Sequence, residues 1–314
     1  MDIGQFEQKA VLVEKRQALQ PGSKGGGHGQ SARSIDSVCR EAITWRRIIV
    51  RRLALLMFVS LFLTACATTP SVPPAARAEL APTGKLRAGI SFSNVLLTTL
   101  GPNGEQGGVA VELSRELARR LNVPLEIIPY KSAGLAADAA RTGAWDISVL
   151  GNEPQRAKEI AFATPLTEIE ATYLVPAGSK LRSIAEVDRP GVRIAVPAKS
   201  AYDLALTRII KQAQLVRITP NPAVFPQFVA DRLEVLAGLK PVLLEYSEKL
   251  PGSRILEGNF SVIRHTVGTP KGRDAAEAYL REFVEDVKAS GLVAQWIEKS
   301  GVKGLSVAPK AEAK

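Results

Sequence analysis

The sequence predicts an α/β protein of two lobes, each a mostly parallel sheet flanked by helices, with a cleft between them. Three observations carry this. Strand and helix signals alternate as βαβαβ over residues 86–150, the pattern of a sheet covered on both faces. The same alternation restarts after residues 172–176 (TYLVP). Extended segments at 173–176 and 259–267 join the two runs, which sets the lobes at 83–173 with 264–302 and at 177–260. Ligands usually bind in the cleft between such units.

The elements follow in order. Residues 86–90 (LRAGI) are a short apolar strand. Residues 101–108 (GPNGEQGG) are a turn cluster; they lack the Lys-Ser/Thr ending of a phosphate loop and read as a hairpin-like turn. Over 109–121, Val109, Leu113, Leu117 and Leu121 recur at i, i+4 while Arg115, Arg119 and Arg120 fall on the other side, as in an amphipathic helix. Asn122 ends it and Pro124 cannot continue it. A strand at 125–128, a helix at 135–141, a stop at Gly143 and a strand at 145–150 complete the first run. In the second, Ser183–Glu186 and Ser200–Asp203 both have capping-box spacing, before and after a strand at 192–196. The helix opened by Ser200 runs through Leu204, Arg208 and Lys211. A strand at 215–218, Pro222 in a helix's first turn and a strand at 233–239 follow, then an extended stretch at 260–267 and closing helices at 273–290 and 292–300.

The ends of the chain have a different character. Arg51 and Arg52 precede an apolar run of about eleven residues, short of the roughly twenty needed to span a bilayer. Small residues and Cys66 close it, so residues 50–65 resemble a bacterial lipoprotein signal and Cys66 is expected to become the lipid-bearing N-terminus. Residues 1–49 have no apolar period around the Gly-rich stretch 21–30 and read as disordered or untranslated. Residues 66–82 are expected to be a flexible tether and 303–314 a flexible tail.

Composition removes several classes. Residues 66–314 carry 31 basic and 26 acidic groups, scattered rather than clustered, which is no nucleic-acid footprint. Cys66 would be the one cysteine left, so disulfides are excluded and the fold rests on its core. His28 and Cys39 stand alone, and no metal or cofactor motif is present.

The order of motifs resembles the family 3 bacterial extracellular solute-binding proteins, the amino-acid-type receptors of ABC importers. It shows in Lys85–Gly89, in residues 108–117 (GVAVELSREL), in 143–146 (GAWD), in 153–162 (EPQRAKEIAF), in 173–175 and in the closing stretch 271–301. The resemblance implies a two-lobe, type II periplasmic-binding fold that closes on a small ligand, with an ABC permease as partner and the periplasm as location, tethered to the inner or outer membrane; a monomer is expected.

The resemblance also implies a site. Arg156 matches the arginine that clamps a ligand carboxylate, a role suited to a planar fork that stays charged when desolvated. Ser200 and Ala201 match a helix start whose N–H groups face the same carboxylate. Lys199 stands where the family more often has glycine, and Asn94 and Tyr130 match strand ends that face the cleft. The family's ammonium-binding aspartate has no counterpart in residues 234–240 (EVLAGLK), which leaves Glu234 or Glu245 as the acids that would have to reach in. A desolvated ammonium without a counter-charge is costly, so the expected solute is an amino-acid-like compound or an organic acid, and not an ordinary α-amino acid.

The leading expectation is a binding protein and not an enzyme. An enzyme of the cyclohexadienyl dehydratase type on the same fold, or a sensory or envelope-binding module, are the alternatives. The candidate acids and bases are few: His265 reads as structural, and Glu168 with Glu170 as a strand pair without an evident partner.

Overall fold

The computed structural model describes residues 71–312; residues 50–65, expected to be an export signal, Cys66 and residues 1–49 lie outside the described residues. The chain enters with helix α1 (Pro74–Leu80), its proline in the first turn, where a missing N–H costs nothing. Ala76 and Leu80, four apart on one face, are fully buried. Arg273 Nη1 donates to the Glu79 carbonyl at 3.0 Å, and the Glu79 carboxylate accepts the Ala276 N–H at 2.8 Å. The tether expected over 66–82 is therefore corrected for 74–80, where one turn of apolar spacing is too short to announce itself in a Pro- and Ala-rich stretch.

The first run contains β1 (Leu86–Ser91), a small hairpin of β2 (Thr99–Leu100) and β3 (Gln106–Gly107), α2 (Val109–Leu121), β4 (Leu125–Tyr130), α3 (Ala133–Asp138), β5 (Ile147–Gly151), β6 (Ile160–Phe162) and β7 (Thr167–Val175). The second contains β8 (Arg193–Pro197), α4 (Ala201–Ile209), β9 (Gln214–Ile218), α5 (Val224–Ala230), β10 (Val235–Leu239), α6 (Lys240–Glu248) and β11 (Arg254–Ile255). The chain then returns through β12 (Ser261–Pro270), α7 (Asp274–Ala289), α8 (Leu292–Ser300) and β13 (Ser306–Val307). The strand order is β4-β1-β5-β12-β7-β10-β8-β9. β4, β1 and β5 are parallel, as are β9, β8 and β10, and each set belongs to one lobe. Between them β12 and β7 pair antiparallel, the two crossings that join the lobes.

In α2 the i, i+4 stripe of Val109, Leu113, Leu117 and Leu121 is buried, and Asn122 takes the left-handed turn (φ 52°) that ends the helix. Ser183 makes no cap: residues Ile184–Glu186 form a single 3-10 turn, and it is Glu186 that accepts the Arg182 N–H at 2.7 Å. α6 escaped the sequence reading because it starts at Lys240, directly after β10, with Pro241 in the one part of a helix that accepts proline. Glu168 and Glu170 do have partners, Arg264 at 2.7 Å and Lys240 at 2.6 Å.

The tail is corrected as well. β13 pairs antiparallel with β7, Leu305 and Ala308 are buried, and Ala308 N–H donates to the Leu166 carbonyl at 3.0 Å. Alternation too brief to read as a strand gains its partner only in three dimensions. Among the described residues no helix is long and apolar enough to cross a membrane.

Candidate functional site

A cavity of about 260 Å³ lies between the lobes at the ends of their strands. Lobe one contributes Ser91 at the end of β1, Ser93 and Asn94 beyond it, Val149–Gly151 of β5, and Arg156, and the crossing strand β12 contributes Ile263 and His265. Lobe two contributes the β8–α4 junction at Pro197 and Ser200–Tyr202, Asn221, the β10 face from Leu236 to Leu239, and Val242, Leu243 and Tyr246 of α6. Among the described residues no aspartate or glutamate lines it.

Arg156 opens a short 3-10 turn after β5 and is only 5% exposed. Its Nη1 donates to the Gly151 carbonyl and its Nη2 to the Lys199 carbonyl across the cleft, both at 3.0 Å. Among the described residues no carboxylate stands within ion-pair distance of it. The acids whose fields reach it are occupied: Glu153 Oε2 lies 2.6 Å from Arg208 Nη2, an ion pair not aligned as a hydrogen bond, and Asp138 holds Lys199 Nζ at 2.6 Å. Burial pushes the guanidinium pKa down to about 10, against the opposing pull of Glu153 and Asp138, and it stays cationic at neutral pH.

The helix start opposite is a closed capping box. Ser200 Oγ accepts the Asp203 N–H at 3.0 Å, while Asp203 accepts the Lys199 N–H at 2.8 Å and Arg217 Nε at 2.9 Å. Ser200 and Ala201 do line the cavity, but Ser200 Oγ and the Lys199 N–H are already engaged within the lobe. Lys199 sits at φ 58°, the left-handed conformation that explains a glycine preference here, and its ammonium turns to Asp138 rather than to the cavity. Asn94 lines the cavity; its Oδ1 accepts the Leu96 N–H at 3.2 Å and its Nδ2 lies 3.3 Å from His265 Nε2. Tyr130 does not reach the cavity and packs beside the Trp145 cluster instead. Glu234 pairs with Arg193 at 2.8 Å, and Glu245 is not among the lining residues.

Sequence reasoning reads His265 as structural and passes over Asn221 and the apolar wall of lobe two. His265 is 3% exposed and lines the cavity; burial, then the nearby Arg156 charge, pushes its pKa down to about 3, so it is neutral. Asn221 Nδ2 donates to the Ser93 carbonyl across the cleft at 3.0 Å. The run VLAGLKPVLLEY held the wall's signal, an apolar strand leading straight into a proline-started helix. Two glycines set how near the lobes come. A Cβ on Gly151 would stand 2.6 Å from Ala201 Cβ, and one on Gly134 would stand 2.6 Å from Lys199 Cβ.

Two α/β lobes joined by crossing strands, with a polar-edged cavity at the strand ends, define a solute-binding architecture. The chain matches the bacterial extracellular solute-binding proteins, family 3, over residues 86–302, and it belongs to that family. No curated protein matches it in sequence. Among solved structures it is similar to a mutant of ArgBP from T. maritima, at 23% identity and TM-score 0.61, over 72% of this chain and 99% of that one. It is similar also to the L-cysteine solute receptor of Neisseria gonorrhoeae, at 19% identity and TM-score 0.63, over 74% and 99%. A third likeness, at 22% identity and TM-score 0.60 over 71% and 97%, is to an ancestral amino-acid-binding protein that is a precursor of cyclohexadienyl dehydratase. At these identities the likeness shows a shared type II periplasmic-binding fold.

Proposed function

We propose that this protein binds a small carboxylate-bearing solute in the interlobe cavity, with Arg156 as its counter-ion, and delivers it to an ABC permease from a lipid anchor on Cys66. The observation that carries the reading is Arg156 itself, a buried cation lining the cavity with two neutral carbonyls as its partners. A buried charge without an opposite charge is costly, and an anionic ligand supplies one. Two of its five N–H groups are engaged, and the other three have no partner among the described residues. The lobes are 83–173 with 264–302 and 177–260, the former extended by the strand at Ser306–Val307, and they close through β7 and β12.

Structural neighbours named for bound arginine and for L-cysteine support a small carboxylate-bearing solute. An enzymatic reading has less support, because His265 is held neutral and no acid lines the cavity among the described residues. Calorimetry against amino acids and other organic acids, on wild type and Arg156→Ala, tests the proposal. Charge-assisted hydrogen bonds contribute roughly 1.5–3 kcal/mol each, so the substitution should weaken the best carboxylate about 10- to 100-fold. Arg156→Lys should recover only part of this, since an ammonium cannot pair in two-pronged fashion. Equal affinities for wild type and Arg156→Ala would refute the anchor. Mass spectrometry of the native protein tests the membrane tether: a diacylated Cys66 at the N-terminus is expected, and a mature chain retaining Arg51 and Arg52 would exclude it.

A further inference from the structure

We infer that the solute is a monocarboxylate with an uncharged, apolar body, and that α-amino acids are excluded by the cavity itself. This rests on the proposed pairing of a carboxylate with Arg156 and goes further, to the rest of the ligand. Three features point the same way.

The first is charge. Arg156 is the one permanently charged side chain on the cavity wall among the described residues, and a ligand ammonium beside it would meet a like charge with no acid to offset it. The second is the state of the hydrogen-bond acceptors. The Gly151 and Lys199 carbonyls each accept once from Arg156 and the Ser93 carbonyl once from Asn221, so among the described residues the acceptors that remain for an ammonium are neutral and none is a carboxylate. Asn94 Oδ1 takes the Leu96 N–H, its amide nitrogen lies 3.3 Å from His265 Nε2, and His265 Nδ1 is buried without a hydrogen-bond partner among the described residues. The third is the opposite wall, which is lined by the apolar residues Leu236, Leu239, Val242 and Leu243 of lobe two and Val149 of lobe one. Burying an apolar body there is favourable by about 25 cal/mol per Å².

Matched probes separate the parts of this inference. Calorimetry compares L-leucine with 4-methyl-2-oxopentanoate and 4-methylpentanoate, and L-phenylalanine with phenylpyruvate and 3-phenylpropanoate. In each series the acids lacking the amino group should bind at least 10-fold tighter than the amino acid. Val242→Asp adds a carboxylate to the wall at the third residue of α6, where the helix dipole favours an acid. It should narrow or invert that ratio. Tighter binding of either amino acid by wild type overturns the inference while leaving the Arg156 reading intact. An unchanged ratio in a folded Val242→Asp protein also overturns it, and so does failure of both series to bind. Equal binding of the acids and their neutral amides contradicts the Arg156 reading instead.

Discussion

Asp146 and Arg156 are both buried charges at the edges of β5, and they are treated in opposite ways. Asp146 is fully buried and closed in on itself: it accepts the N–H and both ends of the Arg87 fork at 2.7–3.0 Å, and Arg273 Nη1 at 3.0 Å. Arg156 is nearly as buried and has only neutral carbonyls. The first charge ties three parts of lobe one together, the start of β1, the start of β5 and the approach to α7. The second leaves its charge unmatched at the cavity. A charge completed within the fold is structural; one left incomplete at a cavity is a functional candidate.

The comparison breaks most visibly at Asp146. Asp146→Ala leaves two arginines facing a hole, and removing one partner of a buried ion pair typically costs about 3–5 kcal/mol. A drop in melting temperature of roughly 10 °C is expected from calorimetric scans of the purified protein. The matching change at the other site should behave differently. Arg156→Met should cost less than about 2 kcal/mol, because relief of a lone buried charge offsets the loss of its hydrogen bonds to the Gly151 and Lys199 carbonyls. Carboxylate affinity should fall about 10- to 100-fold all the same. Loss of stability like that of Asp146→Ala would erase the distinction.

Much of this contrast was legible in the sequence, though unevenly. The α2 stripe, the turn at Asn122, the βα alternation and the capping box at Ser200–Asp203 were readable because each is written locally, in spacing or in one residue's geometry. α1 and β13 were not, since seven and two residues carry too little period and gain their order from α7 and β7. In the site, Arg156, Ser200, Ala201 and Asn94 come together at the cavity. Tyr130 and the Lys199 ammonium do not, because which way a side chain turns at a strand end or a left-handed turn depends on contacts from the other side. His265 looked inert from sequence because one histidine in a strand says nothing of the Asn94 amide brought beside it from far along the chain.

Smaller effects sharpen the account. Gly151→Val would drive a side chain into Ala201 across the cleft, so the lobes should be held apart. Solution scattering should show a larger radius of gyration, and carboxylate affinity should fall about 10-fold. His265 gives a pH signature. Its folded pKa of about 3 lies below the ordinary value near 6.5, so the unfolded chain takes up a proton first as pH falls. The contribution is complete above pH 6.5 and is lost between 6.5 and 3, at no more than about 1.4 kcal/mol per pH unit. The difference in stability between wild type and His265→Gln across that window should carry this slope. The half-exposed Lys240–Glu170 pair at the crossing should matter least, and a double-mutant cycle should return less than about 1 kcal/mol.

The most direct measurement is a crystal structure of the protein with 4-methyl-2-oxopentanoate bound. The account predicts the carboxylate oxygens at about 2.7–2.9 Å from the Arg156 guanidinium, with the aliphatic end against Leu239 and Leu243. A carboxylate held elsewhere, with Arg156 still bonded only to Gly151 and Lys199, would contradict it.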